Sequence, residues 1–93
     1  MKRSIKGINT QISNPIDIVI SNNEIFVLDN DQVLVFNKND IDNSPPKRII
    51  SGQNTQIKQA KYIILKDHII TVTNSDDIML SFPETAAGNV SPL

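Results

Sequence analysis

The sequence predicts an all-β chain built from two copies of one four-stranded antiparallel unit, and three observations carry that reading. A hexapeptide recurs: Gly7-Ile8-Asn9-Thr10-Gln11-Ile12 returns 45 residues later as Gly52-Gln53-Asn54-Thr55-Gln56-Ile57. Self-similarity at a fixed period is the mark of a repeat architecture. The apolar residues are mostly Ile and Val, whose branching at Cβ favours the extended chain. Asn, Asp, Ser, Pro and Gly interrupt the apolar runs every few residues, as closely spaced turns require.

The two copies align at an offset of 45 as far as Asp31, so that Ile18-Val19-Ile20 meets Ile63-Ile64-Leu65 and Val27 meets Val72. Beyond that point the offset is 46, pairing Phe36 with Phe82, Asn43 with Asn89 and Pro46 with Pro92. One residue inserted in the turn Ser75-Asp76-Asp77 accounts for the step. The first strand of each unit covers residues 16–20 and 61–65, apolar enough for a strand covered on both faces. The turns Ser21-Asn22-Asn23 and Lys66-Asp67-His68 lead to second strands at 24–29 and 69–74. Asn30-Asp31 and Ser75-Asp76-Asp77 then supply residues that tolerate left-handed φ, ahead of third strands at 32–36 and 78–82. Loops follow at 37–46 and 83–92, and a fourth strand at 47–51 leads into Gly52.

The first repeat therefore spans 8–52, and the second, 53–93, lacks its outer strand. A spare outer strand sits at residues 1–7: Lys2-Arg3-Ser4-Ile5-Lys6-Gly7 matches Lys47-Arg48-Ile49-Ile50-Ser51-Gly52. Leu93 and Lys2 both fall on Lys47, so the two ends read as complementary parts of one unit. The expectation is that residues 1–7 are donated to another chain.

Ninety-three residues make one small domain or part of one. At 39% apolar residues the chain is not disordered by composition. No apolar run approaches the roughly 18 residues of a membrane span, so no membrane is expected. A net charge of -1 without a basic stripe argues against nucleic acid. The absence of cysteine excludes disulfides and Cys-ligated metals. The basic start, Met1 to Lys6, has no apolar segment behind it and is not a secretion signal; the compartment stays open.

A period of about 45 residues is that of a four-stranded propeller blade. Gly52-Gln53-Asn54-Thr55, Pro15 with Ile18, Ile25-Phe26-Val27, Asn74, Phe36, Phe82-Pro83 and Gly88-Asn89-Val90-Ser91-Pro92 resemble bacterial β-propeller repeats of the NHL and YVTN type. The resemblance covers essentially the whole chain, as two blades. Ala60 departs from it where the first copy has Pro15, and Asp17 and Tyr62 stand where such repeats usually have Gly. It implies that the first strand lines a central channel, that the fourth lies at the rim, and that every blade needs a neighbour on each side. Two blades cannot close a ring. The implied assembly is a homo-oligomer, a trimer by preference or a dimer or tetramer, in which residues 2–6 of one chain complete the blade formed by 61–82 of the next. The alternative is a piece of a longer propeller chain.

Strand alternation puts the turns after the second strands and the loop after the fourth at one end. Asp29, Asn30, Asp31, Asn74, Asp76 and Asp77 then share a face with Asn54 and Thr55, and with Asn9-Thr10. Such a crown suits a hard cation, a basic peptide or a polar sugar. The same residue types also close tight turns and satisfy loop backbone without any ligand. His68, the single histidine, falls in a turn at the opposite end. No nucleophile elbow or glycine-rich anion loop appears, and neither metal nor cofactor is assigned. The basic pairs Lys2-Arg3 and Lys47-Arg48 read as charged guards on outer strands. The function expected is a non-enzymatic binding or scaffold module presenting a polar, acidic face to an unknown protein or polar ligand. The resemblance also implies a propeller-type hydrolase or lactonase with a channel metal, for which Asp17 is the candidate ligand. A third reading is an excised or engineered fragment without activity of its own.

Overall fold

Alternating Ile, Val, Leu and Phe between Asx-rich turns dictate short antiparallel strands, and these are what form. The computed structural model describes residues 12, 14–21, 23–39 and 45–93. Among them, β1 (Pro15–Ile20), β2 (Glu24–Asp29), β3 (Gln32–Asn37) and β4 (Arg48–Ile50) form one antiparallel sheet, sheet 1. Sheet 2 contains β5 (Ala60–Lys66), β6 (Ile69–Asn74) and β7 (Met79–Pro83), also antiparallel. The only helical element described is the single 3-10 turn Gln53–Thr55. Residues 1–11, with the expected donated strand and Asn9-Thr10, lie outside the described residues, as does Asn43.

The repeat extends to the register. Ile25 faces Phe36 and Val27 faces Leu34 in sheet 1, while Ile70 faces Phe82 and Val72 faces Leu80 in sheet 2. Both first strands are irregular at matching places, between Pro15 and Asp17 and between Ala60 and Tyr62. A bulge there adds local twist and re-aims the following side chains.

The two sheets meet face to face. Phe26, Leu28, Val33, Val35 and Ile50 of sheet 1 pack against Ala60, Ile63, Ile70, Val72, Leu80 and Phe82 of sheet 2, with Ile57 and Ala86 at the margins. Alternation sends Val27, Leu34 and Phe36 to the far side of sheet 1, where Ile12, Ile25 and Ile49 pack against them. The repeat gives this arrangement a direction. Ile63, Ile70, Val72, Leu80 and Phe82 stand where the first repeat has Ile18, Ile25, Val27, Leu34 and Phe36, and every one of these residues is identical. Sheet 2 thus buries, against the opposite face of sheet 1, the face whose counterpart in sheet 1 points away from the seam. The sheets stack head to tail.

The first strands differ from expectation in that they are covered on one face only. Ile18 and Ile20 are 55% and 63% exposed, and Tyr62, Ile64 and Met79 lie open on the outer side of sheet 2. On the far side of sheet 1 only the inner strand is open, since Val27, Leu34 and Phe36 on the same face are buried. The outer edge of sheet 1 is covered by the loop after β7: Gly88 N–H donates to Ile49 O at 2.6 Å, and Ser51 N–H donates to Gly88 O at 3.2 Å. Beside sheet 2, Leu93 N–H donates to Ser81 O at 2.7 Å, as Lys47 N–H does to Val35 O at 2.7 Å. Leu93 therefore stands beside sheet 2 as Lys47, just ahead of β4, stands beside sheet 1.

Phe82 fills the centre of the seam and is fully buried. Phe82→Ala is expected to cost about 3–5 kcal/mol, read as a lowered urea midpoint, whereas Met79→Ala on the open face is expected to cost less than about 1 kcal/mol. Equal losses at the two positions would contradict this placement of the core.

Candidate binding face

The chain must cross from β4, at one margin of sheet 1, to β5 in sheet 2, and the Gly52–Ile57 loop makes that crossing. Gly52 has φ 119° and ψ 169°, and Gln56 is left-handed at φ 65°. Between them Thr55, fully buried, donates its Oγ1 hydrogen to Gly52 O at 2.7 Å and accepts Ile57 N–H at 3.2 Å. The loop projects between the β2–β3 and β6–β7 turns. It is the common wall of two open hollows, both lined by Gly52, Gln53 and Ile57. One, of about 490 Å³, reaches Asp29, Asn30, Asp31 and Gln32. The other, of about 420 Å³, reaches Gln56, Lys58, Asn74, Asp76 and Ile78.

The residues singled out from the sequence thus gather at one end, but they divide by role. Asp29 is 1% exposed and takes Asn14 N–H at 2.6 Å and Gln32 Nε2 at 2.9 Å. Asn74, its counterpart in the second repeat, accepts Lys58 N–H at 3.1 Å and donates through Nδ2 to Gln56 O at 3.0 Å. Both bind the backbone that leads into an inner strand, which buried main-chain groups require. Thr55 does the same within its own loop.

Asn30, Asp31, Asn54, Asp76 and Asp77 are exposed. Asn30 adopts φ 56° and its carbonyl accepts Ala60 N–H at 3.2 Å, while Asp31 Oδ1 accepts Gln59 N–H at 3.0 Å. Asn54 N–H donates to Asn89 Oδ1 at 2.8 Å, tying the loop to the segment after β7. Asp76 Oδ1 accepts Ile78 N–H at 3.4 Å inside its turn. Asp77 pairs with Lys61, and that contact raises the lysine's pKa. Both partners are well exposed, so the pair adds little stability. The face can offer amide and carboxylate oxygens to a polar ligand. Among the described residues there is no group of three or more His, Asp or Glu side chains placed to hold a metal ion.

The opposite end carries a cluster that sequence reasoning missed. Arg48 forms a two-pronged bridge to Glu24, Nη1 to Oε2 at 2.7 Å and Nη2 to Oε1 at 3.0 Å, and Nη2 also donates to Glu84 O at 2.8 Å in the loop beyond sheet 2. Lys47 Nζ lies 2.9 Å from Glu24 Oε2. Arg48 is therefore not an edge guard: its side chain is only 18% exposed and it clamps the seam. Parity could have found this, since Glu24 shares a face with Phe26, and Arg48 with Ile50. The hydrogen bonds from Arg48, reinforced by Lys47, hold the Glu24 carboxyl at about 2 against the opposing effect of burial. His68 is exposed, as expected for a turn residue, and its Nδ1 lies 3.1 Å from Glu84 Oε1. Asp17 is likewise spent on backbone: Oδ1 accepts Ile18 N–H at 2.9 Å and Oδ2 accepts Ile63 N–H at 3.0 Å across the seam.

Because Glu24 is lowered from 4.5 to about 2, its stabilising contribution is complete above about pH 4.5 and is lost as pH falls toward 2. Glu24→Gln is expected to lower the neutral-pH stability by about 1–3 kcal/mol and to flatten the acid limb of a denaturation-versus-pH profile. A Cβ at Gly52 would collide with the Asn89 side chain, whereas at Gly88 it meets nothing within 4 Å. Gly52→Ala is therefore expected to cost about 2–3 kcal/mol and Gly88→Ala about 1 kcal/mol, measured as thermal or urea midpoints. The reverse order would contradict the loop geometry. Comparison of the chain with protein-family models, curated proteins and solved structures gives no match.

Proposed function

We propose that this chain is a non-enzymatic binding or scaffold module: two propeller-type blades, of the kind seen in NHL and YVTN repeats, that assemble with further copies and present a polar end to a partner. The observation that carries this reading is the head-to-tail stacking of the two sheets through identical residues. A contact of that type has a direction, and it leaves Ile18 and Ile20 on sheet 1 and Tyr62, Ile64 and Met79 on sheet 2 exposed, where a further copy can add to the stack. The edge of β7 supports the same reading. Leu93 N–H donates to Ser81 O, no other described strand pairs with β7 beyond β6, and such an edge suits a strand of the β4 kind. Residues 2–6 of another copy have that sequence. With two blades per chain the ring holds two, three or four copies, and three is the preferred number.

The polar end is the surface such a ring would display. Asn30, Asp31 and Asp76 line the two hollows there, Asn54 and Asp77 are exposed nearby in sequence, and repetition around the ring would multiply weak oxygen-donor sites into a broad acidic face. A basic protein segment or a polar ligand is the partner class it suits. The hydrolase or lactonase alternative draws no support from Asp17, whose two oxygens serve backbone amides.

Sedimentation equilibrium at micromolar concentration tests the reading. A mass of about three chains is expected, with two or four chains also consistent with closure. A folded monomer at every concentration would overturn it.

A further inference from the structure

The second repeat departs from the first at one position where the fold does not ask for it. In the first repeat Gln32, the first residue of β3, donates through Nε2 to Asp29 Oδ2 at 2.9 Å and closes the β2–β3 turn. The corresponding residues of the second repeat are Ile78 and Asn74. Asn74 turns its side chain to Lys58 N–H and Gln56 O instead. The backbone of Ile78 is fixed by its turn: Ile78 O accepts Asn74 N–H at 2.9 Å, and Ile78 N–H donates to Asp76 Oδ1 at 3.4 Å. Its side chain belongs to neither buried cluster and is 54% exposed. Ile78 stands with Ile57 and Leu80, themselves nearly buried, in the lining of the hollow of about 420 Å³. An apolar spot thus lies within an end that is otherwise polar.

The neighbouring hollow, of about 490 Å³, has the complementary character. Its described lining holds Asp29 and Asp31 and no basic residue. Asp29 is spent on the fold, which leaves the exposed Asp31 as the charge a ligand meets. In the apolar hollow Lys58 and Asp76 balance one another. Gly52, Gln53 and Ile57 form a wall common to both. Both hollows are open, so a small ligand in either would stay largely solvated, whereas a chain reaching into both joins two weak contacts into one. We infer that the polar end receives a basic, extended segment of a partner protein. That segment places an aliphatic or aromatic side chain against Ile57, Ile78 and Leu80, and a Lys or Arg against Asp31. This rests on the binding-module reading above and specifies the partner at that end. The wall is one loop thick, and about three to five extended residues at roughly 3.3 Å each span it. The apolar contact supplies the affinity, and charge selects a basic segment over an acidic one.

Panning the immobilised protein with phage-displayed random heptapeptides tests this, the enriched sequences then being synthesised and titrated by fluorescence anisotropy. Enriched sequences are expected to carry an aliphatic or aromatic residue about three to five positions from a Lys or Arg. Ile78→Gln, the exchange the first repeat already makes at Gln32, is expected to weaken the synthetic peptide about tenfold. Asp31→Asn is expected to weaken it about threefold, an effect that fades at high salt. Circular dichroism checks that both variants keep the fold. Binding left unchanged by either variant would overturn this placement while leaving a basic partner at the polar end. No enrichment, or enrichment of acidic segments, would overturn the inference together with the basic-partner reading, whereas the assembly is read separately by sedimentation. The expected binding by a monomer would support the site and overturn the assembly alone.

Discussion

The buried seam between the two sheets is the constraint on which everything else depends. Neither a four-stranded nor a three-stranded sheet of this size can bury enough apolar area by itself to offset the entropy of ordering its chain. Each sheet therefore sacrifices one face to the other, and Phe26, Leu28 and Val35 interlock with Val72, Leu80 and Phe82. The polar devices at the seam follow from that packing. Asp17 reaches across to the Ile63 amide, and Arg48 reaches from β4 to Glu24 and to the Glu84 carbonyl. Half-buried charges of this kind are useful only where geometry satisfies them, and here the guanidinium and carboxylate meet in two parallel hydrogen bonds.

The polar end is a consequence of the same stacking. Because sheet 2 must lie over the opposite face of sheet 1, the chain has to cross from the margin of one sheet to an inner strand of the other. That crossing exposes loop backbone, and Thr55, Asp29 and Asn74 are the side chains that satisfy it. What is left facing solvent, chiefly Asn30, Asp31, Asp76 and Asp77, is the part a partner could touch. The division explains why the end can look like a binding site in sequence while three of its eight polar residues are buried in the fold.

Much of this was legible in the residues. The period, the Ile and Val runs and the Asx turns give the strands to within a residue or two, and alternation gathers the turns and the Gly52 loop at one end. Two features were not legible, for physical reasons, and a third, the placement of Arg48, was missed although alternation encodes it. Asp17 meets the Ile63 amide only through a tertiary contact between residues 46 apart in the chain, which no local pattern encodes. Arg48 looked like an exposed guard as one of a basic pair on an outer strand, yet parity turns it onto the inner face with Ile50. Edge protection came instead from Gly88, whose backbone bonds with Ile49 and Ser51 leave no side-chain signature. The candidate site was visible as a location but not as a division of labour, since burial separates Asp29 from Asp31 although both are aspartates in one turn.

Native-state hydrogen exchange of the Ile63 amide tests the seam most directly, because its acceptor, Asp17 Oδ2, belongs to the other sheet. If the head-to-tail seam holds the fold together, that amide exchanges only with global unfolding, and Asp17→Asn speeds its exchange well beyond that of amides bonded within sheet 2. Exchange at the rate of an exposed loop amide in the unaltered protein would contradict the account.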